Sequence, residues 1–521
     1  MKVDKANSSL NGINLQNNSK LYLLNDEKFR FNFNKNTLKA NFINEIYIPN
    51  ERGEYEHFEI SKTQLLSKKL SIKYEDIKTF VGVSTKRKNV KARITITNKG
   101  LSYWLRIPNK EDYFFQPLKN KNGLHYGYSD SNETNQNGLN CKTKDLKNKI
   151  LNTNLLNSKK FNNQNNLKTY RIAIMGTGEY TSFWGDNDDS NGDNSEDAYR
   201  AVVNTINRVN EIYENELQIK LELISDASLM FLNPNIDPFK LSLNDEAQSA
   251  MDSIVGNENY DLGHLFDYGQ PDGDAGCVGC VCENGVKGRA YSIHPFEDND
   301  GGVFRNDYFD LDYVAHEIGH QFGAYHTFAF QTENSGSNVE PGSGSTIMGY
   351  AGNCGTDDVQ SNSDAIFHSF SFEQAANFIE SGGGASCGTT QSSTNSAPSV
   401  SAGADFAVPA RTPLVIQGSG SDGDADTLKY VWEQRDLGPA AALSAADDGA
   451  IPLFRVYDRG VSAKRYLPSL SNVVSGTFDD AEKIPRKARV MDFVLTARDE
   501  RGGVSSDAMQ IEVIGSPIVG P

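Results

Sequence analysis

The stretch Tyr313–Phe328, YVAHEIGHQFGAYHTF, holds three of the chain's eight histidines, spaced by four residues and then by six, with a glutamate beside the first. On an α-helix, residues four apart lie one above the other, so His316 and His320 project from one face, near enough to share one ion. His326 cannot join them on a continuing helix, because six further residues rotate it by roughly 240° and carry it about 9 Å along the axis. The helix must end first. Gly323 stands where a stop is needed, since glycine takes the left-handed conformation of a helix C-cap without steric cost. Three neutral imidazoles can then surround one cation. Three protein nitrogens with an open fourth position describe a catalytic zinc ion, whereas structural zinc is usually closed by four ligands and is cysteine-rich. Glu317, beside a ligand, is placed to take a proton from water that the metal acidifies, while the metal polarises the scissile carbonyl.

The extended pattern His-Glu-x-x-His-x-x-Gly-x-x-His fixes five positions, each with its own mechanical job. With it, the chain resembles the metzincin metallopeptidases. That resemblance implies a methionine turn below the metal, and STIMGY places Met348 twenty-two residues after His326. It also makes Tyr350 a candidate transition-state stabiliser, because astacin-like and serralysin-like metzincins carry a tyrosine there that hydrogen-bonds the developing oxyanion. Together VAHEIGHQFGAYHTF, EPGSGSTIMGYAGNCG and YRIAIMGTGEYTSFWG look like the bacterial reprolysin-like enzymes. Those are secreted, with an N-terminal propeptide and C-terminal accessory modules. AYHTF is similar to the pappalysin branch as well. Between His326 and Glu340 the chain departs from the reprolysin form, since TFAFQTENSGSNV is short and has no cysteine.

The chain has 521 residues, enough for about three domains. A net charge of −17, with Lys and Arg scattered, argues against nucleic acid or an anionic membrane as the main partner. No stretch approaches the roughly 18 apolar residues of a membrane-spanning helix, and MKVDKANSSLNG lacks the apolar core of a signal peptide. Export is therefore expected from the family resemblance, with the natural start lying upstream or trimmed. Five of the six cysteines, Cys277, Cys280, Cys282, Cys354 and Cys387, lie in or beside the histidine region. CVGCVC reads as disulfide-forming or as a second metal site, with no partner pair at zinc-ribbon spacing. The sixth, Cys141, either pairs with the odd cysteine among those five or serves as a latency thiol that takes the fourth position on zinc.

The fold class expected is multidomain: a β-rich propeptide, an α/β metzincin catalytic domain with zinc helix and Met-turn, and a C-terminal all-β sandwich. Residues 1–165 carry alternating runs such as NEIYIPN and ARITITNKG, with basic stretches read as a solvated face. They end in a polar, Asn-rich segment suited to proteolytic nicking. Residues 166–388 alternate strand and helix, with Ala198, Val202, Ile206, Val209 and Ile212 marking one helical stripe. GRAYSIH, at 288–294, reads as a strand; by resemblance it is the edge that pairs with substrate backbone. The acidic run 186–197 reads as a solvated loop rather than a calcium site. Residues 389–397 form a Ser/Thr-rich linker. Residues 398–517 resemble immunoglobulin-like modules of the polycystic-kidney-disease type. There Asp422, Asp424 and Asp426 are a candidate Ca2+ cluster.

The function expected is a secreted zinc-dependent endopeptidase made as a zymogen, with one catalytic Zn2+ and protein or peptide substrates. The alternatives are a pappalysin-type protease and a catalytically silent adhesin on a protease fold. The cleaved bond and the oligomeric state are not readable from the chain.

Overall fold

The computed structural model describes residues 4–5, 19–24, 44–129 except 109, 120 and 122, 141–143, 160–162, 166–296, and 307–515 except 334 and 478. Most of the Asn-rich segment read as a nicking target lies outside these residues.

The alternation in NEIYIP becomes Asn44–Pro49, the outer strand of a nine-stranded sheet. The sheet runs Asp4–Lys5, Lys20–Leu23, Leu124–Ser129, Tyr113–Pro117, Gly100–Arg106, Lys91–Thr97, Lys78–Ser84, Tyr55–Thr63, Asn44–Pro49, antiparallel throughout. One core of this sheet is its own, around Ile48, Phe58, Ile94, Leu101 and Phe115. Trp104, Phe114, Tyr126 and Tyr128 join instead the core of the following unit. Both faces of a sheet can be buried only if something covers the second, and here a helix does.

That helix is Asn194–Leu217, opened by Asp193, whose side chain accepts from the Glu196 N–H as an N-cap should. Its stripe, Ala198, Val202, Ile206, Val209 and Ile212, is fully buried. The opposite, polar face is buried too, because the N-terminal sheet lies on it. Arg93 Nε donates to Asn207 Oδ1 at 2.8 Å and its guanidinium forks onto Glu214 at 3.1 Å. The basic stretches are solvated in part, with Lys68, Lys69, Lys86 and Lys88 exposed, and dock in part: Arg93 is buried, Lys73 reaches Asp226 at 2.7 Å and Lys91 reaches Glu500. The acidic run is a loop exposed over Asp188, Asp189 and Asp193, but its two ends are engaged, with Lys99 Nζ 2.7 Å from Asp186 and 2.6 Å from Asp197. Sequence patterning assigns charges to solvent unless a partner is known, and these partners are 87 to 409 residues away.

Arg208 links three elements: it donates to Asp310 Oδ2 at 2.8 Å and to Gln116 Oε1 of the N-terminal sheet at 3.2 Å, all buried. Arg208→Ala should strand the Asp310 carboxylate without its partner and cost about 3–5 kcal/mol in denaturant unfolding. Unchanged stability would show that the pair is dispensable.

The second sheet is centred on Asn166–Gly176. Its order is Ile219–Leu223, Asn166–Gly176, Leu262–Asp267, Ala290–Ile293, Asp272–Asp274, parallel except for the last strand. The strand read in GRAYSIH is therefore internal. The edge is Asp272–Asp274, whose sequence DGD is too short and polar to announce a strand. Thr389–Ser392, read as linker, pairs antiparallel with Asn166–Thr169.

Beyond it the chain is β-rich, with one short helix, Leu470–Ser475, among the described residues. Lys429–Gln434, Arg489–Arg498 and Val504–Ile514 form the main sheet around a separate core that includes Trp432, Phe493 and Ile511. Lys160–Asn162 adds to Val504–Ile514 as an antiparallel edge. This part is fastened to the α/β unit by Arg498 Nη2, 2.8 Å from Glu216 of the long helix, both buried. Among the described residues no helix is long and apolar enough to cross a membrane.

Candidate metal centre

Helical turns run from Tyr308 to Gln321, first wide over Tyr308–Ala315 and then α-helical over His316–Gln321. Past the end, Gly323 takes φ +92° and the Ala324 N–H closes on Gly319 O at 3.0 Å. This turn brings His326 back to the helix. The three Nε2 atoms lie 3.1 Å (His316–His320), 2.9 Å (His320–His326) and 3.2 Å (His316–His326) apart. A tetrahedral ion with bonds of 2.0–2.1 Å would space its nitrogens about 3.3 Å apart, so the cluster matches a zinc site.

The outer nitrogens say which tautomer is present. His316 Nδ1 lies 2.7 Å from Ile347 O, His320 Nδ1 2.8 Å from Ala324 O, and His326 Nδ1 2.8 Å from Glu333 Oε2. Carbonyls and carboxylates accept, so each Nδ1 carries the proton and each Nε2 turns a lone pair inward. Burial, reinforced by His326, holds His316 down to about 3, and burial with both neighbours holds His320 well below the usual imidazole range. Both stay neutral at physiological pH, which is the ligating form.

Met348 is buried directly beneath. A Cβ on Gly319 would stand 2.6 Å from Met348 Sδ, which gives this glycine of the HEIGH motif a reason. Buried Glu340 ties the same turn to the His326 segment, accepting from Thr327 Oγ1 at 2.6 Å and from the Ser345 N–H at 2.9 Å. Tyr350 packs its ring against His326, centroids 4.7 Å apart. Glu317 is buried beside the cluster, and that burial raises its carboxyl well above the ordinary range.

Residues 141–143 cross this site. Cys141 bridges Gly273 of the edge strand in parallel register, and the Lys142 N–H donates to Gly273 O at 2.8 Å. Cys141 Sγ comes within 3.8 Å of His320 Nε2, and Cys141 joins the three histidines in one group able to hold a metal ion. Thr143 Oγ1 lies 3.1 Å from Glu317 Oε2 and 3.0 Å from Asp274 Oδ1, and Tyr350 OH donates to Cys141 O at 3.3 Å.

The disulfides are Cys277–Cys280 and Cys282–Cys387. CVGCVC is thus cross-linked rather than metal-binding. Cys141 and Cys354 are both free thiols, so parity does not pair Cys141. The Cys277–Cys280 loop caps the histidine helix, with the Gly279 and Cys280 N–H groups donating to His320 O and Gln321 O at 2.8 and 3.0 Å. Asp422, Asp424 and Asp426 gather carboxylate oxygens within 4.8 Å of one another, close enough to share a cation, but their contacts are those of a turn. Asp422 Oδ1 accepts the N–H groups of Asp424 and Asp426, and Asp426 pairs with Arg501 at 2.9 Å, as in a polar turn.

Sequence reasoning brought together His316, Glu317, His320, His326, Met348 and Tyr350, and the structure places all six, with Cys141, at one site. It missed Glu333, Glu340, Thr143 and Asp274. Glu333 lies in a polar loop with no periodicity; the one available signal was the need of each ligating imidazole for an outer acceptor.

Residues 166–377 match the profile of the reprolysin-like metallo-peptidases of family M12B. No curated protein matches the chain.

Proposed function

Taking residues 166–377 as a reprolysin-like M12B metallopeptidase, we propose that the chain is a secreted zinc endopeptidase held latent by its own N-terminal unit. The observation that carries this is the convergence of three inward-facing Nε2 atoms beside a buried carboxylate. His316, His320 and His326 would hold the zinc, and Met348 forms the Met-turn under it. Zinc bound there supplies Lewis acidity, polarising a peptide carbonyl and lowering the pKa of water.

The chain's own residues do the rest. Glu317 takes the proton from the attacking water and delivers it to the leaving amine. Tyr350 stabilises the developing oxyanion, and its hydroxyl already donates to a peptide carbonyl, that of Cys141. Cys141, 3.8 Å from His320 Nε2, would take the place of the water on a bound zinc, and Thr143 occupies Glu317. The domains are read as propeptide and linker 1–165, protease 166–388, linker 389–397 and immunoglobulin-like sandwich 398–517. Two disulfides fit an oxidising, extracellular setting.

The test is peptide-library cleavage after proteolytic activation, with and without chelator. Loss of cleavage on chelation and recovery with zinc is expected; chelator-resistant cleavage would refute the reading. Glu333→Gln keeps the shape but removes the charge that makes His326 a stronger ligand. It should weaken zinc binding by about 10–100-fold in chelator competition. Wild-type affinity would show Glu333 to be bystander packing.

A further inference from the structure

We infer that Asp272 builds a subsite selective for a cationic side chain, so that accepted peptides carry lysine or arginine beside the scissile bond. The inference rests on the peptidase reading above and adds a substrate class to it.

The segment 141–143 lies in the cleft as an extended chain would. It bridges Gly273 and hydrogen-bonds Gly273 O, using main-chain groups that the edge strand Asp272–Asp274 would offer equally to a peptide. Cys141 Sγ, at the histidines, marks where the reacting group belongs. One residue on, the Lys142 ammonium sits on the Asp272 carboxylate.

The two partners differ in a telling way. The Lys142 side chain is 53% exposed and that of Asp272 only 14%. The acid is therefore part of the wall and the cation is the visitor. Asp272 is held in place: Tyr291 OH donates to its Oδ2 at 3.3 Å and the Gly273 N–H to its Oδ1 at 3.1 Å. Among the described residues, Lys142 supplies its one ion pair. Asp274, anchored by the Gly276 N–H at 2.7 Å, adds a second negative charge along the same strand. When residues 141–143 leave, a half-sheltered carboxylate loses its counter-ion. A lysine or arginine restores the pair, and a neutral or acidic side chain leaves it unmatched. A charge-assisted contact of this type is worth about tenfold or more in affinity.

The experiment uses the full chain activated by cutting between residues 144 and 165. Cleavage-site profiling is run beside anisotropy binding of two peptides copying residues 138–145 with serine for the cysteine. Both keep the lysine copied from Lys144; one also keeps the lysine copied from Lys142 and the other has glutamine at that position. Expected are a roughly tenfold enrichment of Lys or Arg at a residue flanking the cut, and about tenfold tighter binding of the lysine peptide. Both ratios should fall toward one in Asp272→Asn and persist in Asp272→Glu. Equal binding of the two peptides to the wild-type protein overturns the proposal without recourse to any variant. A zinc-loaded protein that cleaves nothing yet prefers the lysine peptide would sink the peptidase reading and leave the cationic subsite standing.

Discussion

Glu317→Ala is expected to reduce peptide hydrolysis by about 10² to 10⁴-fold or more while zinc stays bound at one ion per chain. The two halves of that result have separate causes. In the proposed reading the metal would be held by three imidazoles whose outer nitrogens meet Ile347, Ala324 and Glu333, none of which depends on Glu317. Proton transfer, by contrast, is assigned to Glu317, the buried carboxylate beside the cluster. The measurement pairs kcat/KM on the activated protein with metal content. Near-normal turnover would remove Glu317 from the mechanism. Simultaneous loss of zinc would make its role structural.

The next largest effect is expected from cutting the chain between residues 144 and 165, which should raise peptidase activity by roughly 10²-fold or more once the N-terminal piece is removed. A tethered segment acts at an effective concentration of the order of millimolar, and release abolishes that advantage. Separation should itself be slow. The N-terminal sheet shares a core with the α/β unit and is pinned by buried Arg93 and by Lys99. Cutting without separation should therefore activate less than cutting followed by chromatography. Cys141→Ser in the uncut chain should activate by less than about tenfold, because Lys142, Thr143 and Tyr350 still hold the segment. Full activity of that variant would make the thiol the whole latch. Equal activity of cut and uncut chains would end the latency proposal.

How much of this was legible beforehand follows from the range of the forces involved. The histidine helix, its stop at Gly323 and the stripe on Asn194–Leu217 are set by local periodicity and by a glycine's freedom, and both are written in adjacent residues. The ligand set could be named because a metal needs fixed donors at fixed spacings. The burial of the polar face of Asn194–Leu217 was not read at all, since Arg93, Gln116 and Lys99 reach it from the N-terminal sheet and nothing local to the helix announces them.

The edge of the sheet was misassigned for a related reason. Asp272–Asp274 becomes a strand only because Ala290–Ile293 is there to pair with it, so its three residues carry no pattern of their own. Sequence alone determined which residues are the candidates for binding zinc and moving a proton. Tertiary structure decided what those residues meet: Glu333 behind His326, Met348 under Gly319, and Cys141 and Lys142 across the cleft. Those contacts join parts of the chain far apart in sequence, where pairing depends on the packing of whole sheets and no spacing rule can foretell it.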